Sequence, residues 1–312
     1  MSALELLASS PAMFIGTCLI LGLLVGSFLN VVIYRLPVIL TRQWREQCAE
    51  LCAPDTPPGT SPDAAGSPVP SKPSEPFNLV VPRSACPACK APITALQNIP
   101  LISYLVLRGR CASCGTRIGM RYPFVEALTG ALTAAVAWKY GFGWPTAAAI
   151  VLTWFLIALT FIDIDHQLLP DNLTLPLVWI GLMLSLWGPQ PIGPPVPVDM
   201  RASIMGAIVG YLSLWSVYHL FRLLTGKEGM GYGDFKLFAA LGAWLGWKML
   251  LPIILFAASV GAVVGIAMLT LRNHSRSTPI AFGPFLAAAG WLALMFGPEV
   301  VTAYLGMFVA RQ

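Results

Sequence analysis

Charge is what this 312-residue chain has least of. Only 11% of its residues are Asp, Glu, Lys or Arg, whereas 56% are hydrophobic and the mean hydropathy is +0.72. An ordinary soluble domain carries about 25% charged residues, so the deficit excludes that class and marks an integral membrane protein whose first partner is the lipid bilayer. The pattern of a cleavable signal peptide is not expected in the first apolar segment either. The N-terminus carries Glu5 in place of a basic stretch and shows no small-residue cleavage signal, which makes residues 12–34 an expected retained span. No strand precedes the glycine-rich turn at 229–233 and no amphipathic helix follows it, which excludes a phosphate loop or dinucleotide fold.

What is present is a series of apolar segments. A bilayer crossing needs roughly 20 residues, and the candidates are 12–34, 124–140, 146–162, 173–187, 202–221, 237–251, 252–271 and 282–308, the break before the seventh resting mainly on Pro252. The sequence therefore predicts an all-α polytopic membrane protein of about eight transmembrane helices. Its expected parts are a first helix in 1–36, an extramembrane loop over 37–122 and a membrane-embedded unit over 123–312. Basic residues orient it. The loop side collects Arg35, Arg42, Arg45, Lys72, Arg83, Lys90, Arg108, Arg110, Arg117, Arg121, Arg222, Lys227, Lys236, Arg272 and Arg276; the other side has Lys139, Arg201, Lys248 and Arg311. The excess of Lys and Arg puts the loop in the cytoplasm and both termini outside. This asymmetry accounts for the net charge of +5, which calls for no nucleic-acid partner.

Within the loop, 53–76 is rich in Pro, Ser and Gly, has little to bury and reads as a disordered linker. Cys86-Pro-Ala-Cys89 and Cys111-Ala-Ser-Cys114 follow. Two such knuckles at this separation match a tetrathiolate zinc site, closed and therefore structural. A pair of disulfides is the competing reading, disfavoured by reducing cytosol and by the geometry of bridging within Cys-x-x-Cys. Gly115 falls where a tight turn aims N–H groups at sulfur. Cys48 and Cys52 read as incidental thiols, and Cys18 as a small packing residue.

Two acids end apolar segments. Asp163 closes Val151–Ile162, and Asp234 follows the turn Gly229-Met-Gly-Tyr-Gly233. A carboxylate near membrane depth is costly unless paired or hydrated, which makes it a functional-site candidate. The bland reading is that both cap helix ends at the interface. Asp165 and His166 read as facing water, and Asp171 as an N-cap. A mobile glycine turn beside an embedded acid suits a carboxylate dyad that admits an extended peptide, one acid ionised to activate water and the other protonated.

Gly26-Ser-Phe-Leu-Asn-Val-Val-Ile-Tyr-Arg-Leu-Pro37, the two cysteine knuckles, the Asp163 segment and Gly231-Tyr-Gly-Asp-Phe-Lys236 together resemble the type IV prepilin peptidases. These are the bifunctional leader peptidase/N-methyltransferases among the GxGD membrane aspartic proteases. The resemblance covers nearly the whole chain, and the Pro-rich linker is its main departure. It implies catalytic roles for Asp163 and Asp234 and zinc ligation by Cys86, Cys89, Cys111 and Cys114. It also implies a bacterial inner-membrane enzyme with its active site facing the cytoplasm. Such an enzyme removes the basic leader of type IV prepilins and type II secretion pseudopilins, then methylates the new N-terminal residue with S-adenosylmethionine. No signature in the sequence marks a site for that methyl donor. A transporter would want its acids nearer the midplane and shows internal repeats, which are not evident here. A non-enzymatic assembly factor docking through the zinc module would not need the acids.

Overall fold

The computed structural model describes residues 3–52, 77–86, 88–94, 99–189, 195–271 and 280–309; the linker expected at 53–76 lies outside them. The described residues form ten α-helices: α1 (Ala3–Ser9), α2 (Pro11–Cys52), α3 (Ile102–Val106), α4 (Arg121–Tyr140), α5 (Trp144–His166), α6 (Asp171–Leu184), α7 (Met200–Thr225), α8 (Tyr232–Leu245), α9 (Leu250–Leu271) and α10 (Gly283–Val309). Extended pairing among them is confined to two isolated bridges, Ala85 with Pro92 and Arg110 with Arg117. Each of the eight apolar segments falls largely on helix. Four helical stretches are long and apolar enough to cross a membrane: Pro11–Leu51, Trp144–His166, Met200–Thr225 and Trp247–Met268. Asp171–Trp187 and Gly283–Gly297 are shorter apolar helices.

Two boundaries differ from the sequence expectation. α2 runs through Pro37 and on to Cys52. The proline removes one backbone hydrogen bond, but the residues after it are mostly strong helix formers such as Leu, Gln, Arg, Glu and Ala, with no glycine or further proline before Pro54. At 42 residues α2 is about 63 Å long, roughly twice the hydrocarbon thickness, so its exposed charged end from Arg42 stands clear of a bilayer. The second difference is the break between the sixth and seventh segments. It comes at Gly246, whose φ of 79° ends α8, and not at Pro252, which sits in the first turn of α9. A proline there costs little, because first-turn N–H groups have no intrahelical partner.

α8 is the centre of the packing. It is only 14 residues long, and Asp234, Phe235 and every residue from Leu237 to Leu245 are buried. Glycine makes this possible. A Cβ on Gly242 would stand 2.1 Å from the carbonyl oxygen of Gly206 on α7, and one on Gly206 would stand 2.1 Å from that of Gly242. Backbones in contact at small residues are how helices associate where lipid removes the hydrophobic drive. On the α6 side, Trp244 Nε1 donates to Leu177 O at 2.8 Å. α2 and α4 pair in the same way, with Gly22 against Gly130 and Gly26 against Glu126, where a Cβ on Gly26 would stand 2.8 Å from the Glu126 Cα.

Adding one methyl group at the tightest crossing should cost about 3 kcal/mol. Gly242→Ala is expected to lower the unfolding temperature of the detergent-solubilised protein markedly. Gly16→Ala, where a Cβ meets nothing within 4 Å, should leave it unchanged or slightly raised.

Candidate active site

Asp163 sits on the last turn of α5 and is 5% exposed, whereas Ile164, Asp165, His166 and Gln167 after it are all exposed. The helix ends as Gln167 turns left-handed at φ 50° and donates its N–H to Asp163 O at 2.9 Å. The connection to α6 then buries Leu169. Asp234, 6% exposed, lies on the first turn of α8 beyond Gly231. Gly233 brings that turn onto the α5–α6 connection, since a Cβ there would lie 2.6 Å from Leu169 Cβ.

A third element meets them. The N–H of Gly283, the first residue of α10, donates to Asp163 Oδ2 at 2.9 Å. The Cβ that Gly283 lacks would stand 2.6 Å from that same oxygen. The two acids, which are 71 residues apart in sequence (234 − 163), thus share one buried cluster, and the charge of Asp163 acts on Asp234. Asp234 Oδ1 is buried without a hydrogen-bond partner among the described residues.

The acids around this pair are all engaged. Asp165 takes the guanidinium of Arg121, from the start of α4, which also stacks over Phe161 with its central carbon 5.6 Å from the ring centroid. Asp171 is the first residue of α6 and not its cap. Its two oxygens hold Lys236 Nζ at 2.6 and 2.8 Å, tying α6 to α8 two residues past Asp234. Of the three acids between 163 and 171, only Asp163 is buried. Nothing in the sequence marks Gly283 for this place, and Arg121 stands out there only as one of the basic residues that set the topology.

The Gly26–Pro37 segment lies on α2 at the same end of the bundle. Ser27 hydrogen-bonds the Glu126 carboxylate, which also accepts the Leu101 N–H at 3.0 Å. Asn30 Nδ2 donates to Tyr122 O at 3.1 Å, and the buried Arg35 donates to Asn78 O at 3.0 Å. This segment therefore joins α4 to Asn78 ahead of the first knuckle and, through Glu126, to Leu101 between the two.

The four cysteines come together. The Sγ atoms of Cys86, Cys89, Cys111 and Cys114 all lie within 4.8 Å of one another, with Cys86 to Cys114 at 3.8 Å and Cys89 to Cys111 at 4.0 Å. Four sulfurs at about 2.3 Å around a tetrahedral zinc are about 3.8 Å apart, so the cluster fits that ion. The knuckles share one design. In each, the residue four after the first cysteine is left-handed, Lys90 at φ 61° and Gly115 at φ 70°, and donates its N–H back to that cysteine's carbonyl at 2.9 Å. Hydrogen bonds from the Thr116 side chain and backbone pull the Cys114 thiol down to about 6. Cys89 goes the other way. The Ala91 N–H favours its thiolate, yet desolvation and hydrogen bonding to the three neighbouring sulfurs push it up to about 11.

Residues 20–140 match the bacterial peptidase A24 N-terminal domain, and residues 150–266 match the type IV leader peptidase family. Proteins with the name prepilin leader peptidase/N-methyltransferase are similar to this chain over nearly its full length. The one from Aeromonas hydrophila is 50% identical over 98% of this chain and 99% of its own. Those from Stutzerimonas stutzeri and Pseudomonas aeruginosa are 49% and 48% identical, each over 98% of both chains. No solved structure matches the chain.

A single cysteine removed from the cluster should undo it. Cys89→Ser or Cys111→Ser is expected to lower zinc content from about one ion per chain to near none, measured by elemental analysis of gently purified protein. Because the binding energy of such a site is largely folding energy, limited proteolysis should also quicken between residues 77 and 122. Absence of zinc from an active wild-type sample would refute the assignment.

Proposed function

Because the chain belongs to the type IV leader peptidase family, we propose that Asp163 and Asp234 are the acid pair that cleaves its substrate. The protein is a membrane enzyme that cleaves leader peptides from type IV prepilins and N-methylates the product, as the shared identity with the named relatives over 98% of the chain supports. The observation that carries the residue assignment is that the two buried acids among the described residues come from separate helices and converge on Leu169, whereas Asp165 and Asp171 beside them are exposed and ion-paired. Two carboxyls this close do not both ionise readily, so one holds a proton. The ionised member takes a proton from water as it attacks the amide carbonyl, and the protonated member hydrogen-bonds the carbonyl oxygen.

The remaining assignments follow the same reading. Eight crossings put both termini outside and bring the C-terminal end of α5 and the N-terminal end of α8 to the cytoplasmic face of the bacterial inner membrane. Pseudopilins of type II secretion share the leader chemistry and belong to the substrate class. The domain arrangement is a first helix in 1–36, a loop in 37–122 with its zinc module at 86–114, and the peptidase unit in 123–312. A zinc held by four cysteines has no open coordination position, so it holds the loop and takes no part in cleavage. S-adenosylmethionine supplies the methyl group when bound. The loop and the Gly26–Pro37 segment, within the N-terminal match, are where that second activity belongs.

Asp163→Asn and Asp234→Asn should each lower leader cleavage by about 10³-fold or more, since an amide serves neither proton-transfer role. Asp165→Asn removes only an exposed ion pair and should stay within about fivefold of wild type. Purified variants assayed on a prepilin in detergent decide this, and substantial cleavage by a well-folded Asp163→Asn or Asp234→Asn variant sinks the pair.

The two activities should use separate residues. Given mature unmethylated pilin and labelled S-adenosylmethionine, the Asp163→Asn and Asp234→Asn enzymes are expected to transfer methyl groups at near wild-type rate. Loop cysteine variants should lose methylation at least as readily as cleavage. Folded aspartate variants that transfer no methyl would make the acid pair part of both reactions.

A further inference from the structure

We propose that Gly283 is a positioning residue that divides the labour of the acid pair, its backbone N–H holding Asp163 as the ionised member so that the proton of the pair resides on Asp234. The inference rests on the reading of Asp163 and Asp234 as the cleaving pair and goes beyond it by assigning each a role. It also brings into the site a helix, α10, that lies outside both matched regions, 20–140 and 150–266.

Helix dipoles do not tell the two acids apart. Asp234 lies in the first turn of α8, and Asp163 faces the first residue of α10, so each is near a helix N-terminus. A backbone N–H bears on each, that of Gly231 on Asp234 and that of Gly283 on Asp163, so what separates them is the oxygen that stays buried and unmatched. Asp163 Oδ2 accepts the Gly283 N–H at 2.9 Å in a buried bond. Asp234 Oδ1 is buried and accepts nothing among the described residues. A donor favours the charged form of a carboxyl, and a buried oxygen with no donor disfavours it. A protonated Asp234 Oδ1 is instead a donor awaiting an acceptor, which an incoming scissile carbonyl provides.

Gly283 also sets the fit. A Cβ there would press on Asp163 Oδ2 at 2.6 Å and on Leu169 Cδ1 at 3.1 Å, so only glycine lets the helix start come within reach of the carboxylate. The other charges on the packed elements are already matched, Asp165 by Arg121 and Asp171 by Lys236. They leave Asp163, Asp234 and the backbone N–H groups of Gly283 and Gly231 to settle the proton between them.

The reaction then runs with its protons accounted for. Water loses a proton to the Asp163 carboxylate as its oxygen bonds the scissile carbonyl carbon, and Asp234 gives its proton to the carbonyl oxygen, forming a gem-diol. Asp163 passes its new proton to the amide nitrogen as the C–N bond breaks. Asp234 recovers a proton from one gem-diol hydroxyl as the carboxylic acid forms. Both acids return to their starting states.

The test replaces the N–H without adding bulk. Gly283→glycolate, introduced by nonsense suppression into the full chain, exchanges N–H for oxygen. We expect kcat for prepilin cleavage to fall about tenfold or more with KM within about twofold. The acidic limb of the kcat/KM–pH profile should move up by about one unit, since Asp163 must be ionised to act. Gly283→Ala, which adds the clashing methyl group, should lose more. Pro284→Ala disturbs the same helix start but keeps the N–H, and should hold kcat within about threefold of wild type. Thermal unfolding midpoints close to wild type confirm that the glycolate variant is folded. If its basic limb moves instead, the roles are reversed; if the loss lies in KM, or kcat and the acidic limb both stay put, Gly283 does not position the acid. Either result overturns the proposal while leaving the acid pair intact, whereas cleavage surviving in Asp163→Asn or Asp234→Asn would remove the pair itself.

Discussion

Two carboxylates withdrawn from water in a bundle that is otherwise almost free of charge repel each other and lack solvent. Surrounding groups must therefore supply a donor for one and a proton for the other. That requirement explains why three helix ends meet at this place. α5 runs on to His166, four residues past the end of its buried apolar run at Ile162, which leaves Asp163 inside while Ile164 to Gln167 turn outward. α10 begins where its first N–H reaches Asp163. α8 starts with glycines that let Asp234 come in over Leu169. Each feature is a backbone terminus used as a polar group, which suits a site built where polar side chains are scarce.

The acid pair is held in register by ties between halves of the molecule. At one end of α4, Arg121 reaches across to Asp165 on α5. At the other end, Tyr140 donates its hydroxyl to Leu294 O on α10 at 2.6 Å. Pro298, four residues on, has no N–H to give that carbonyl, so the phenol satisfies a group that the helix itself leaves open. Lys139 adds Glu299 at 2.7 Å. α4 thus anchors both α5 and α10, the two elements whose ends meet at Asp163. The N-terminal region is in this way mechanically joined to the acid site even though it contributes neither acid.

Much of this was legible in the sequence, for reasons that are themselves physical. Apolar run length is a local property, so the helical segments could be found one by one. The four-sulfur cluster was legible because each knuckle places two ligands by itself, leaving only the meeting of two prepared pairs to the fold. Asp163 stood out from Asp165 and Asp171 because it alone adjoins the apolar run, and it alone is buried. What escaped notice was long-range or depended on backbone sign. Gly283 and Asp163 are 120 residues apart and joined by an N–H that every residue except proline carries. The end of α8 was expected at a proline, but a left-handed glycine six residues earlier ended it. The first helix was expected within residues 1–36, but the helix-forming residues after Pro37 carried it on to Cys52.

The unpartnered oxygen on Asp234 is a place where this packing leaves a polar atom worse off than in water. An unmet buried polar group costs about 1–3 kcal/mol, which the dense packing of α8 along its whole length can offset. On the proposed role of the pair, an extended peptide laid across the start of α8 would bring a carbonyl oxygen to that atom, and the deficit would be removed on binding at the bond to be cut. The interaction strengthens further as the carbonyl oxygen gains negative charge, which is the differential stabilisation catalysis needs. The glycines that open the α8 turn and the glycine that begins α10 therefore serve one end. They keep backbone close to the two acids, so that the polar atom left unmatched among them is the Asp234 oxygen assigned to the substrate's carbonyl.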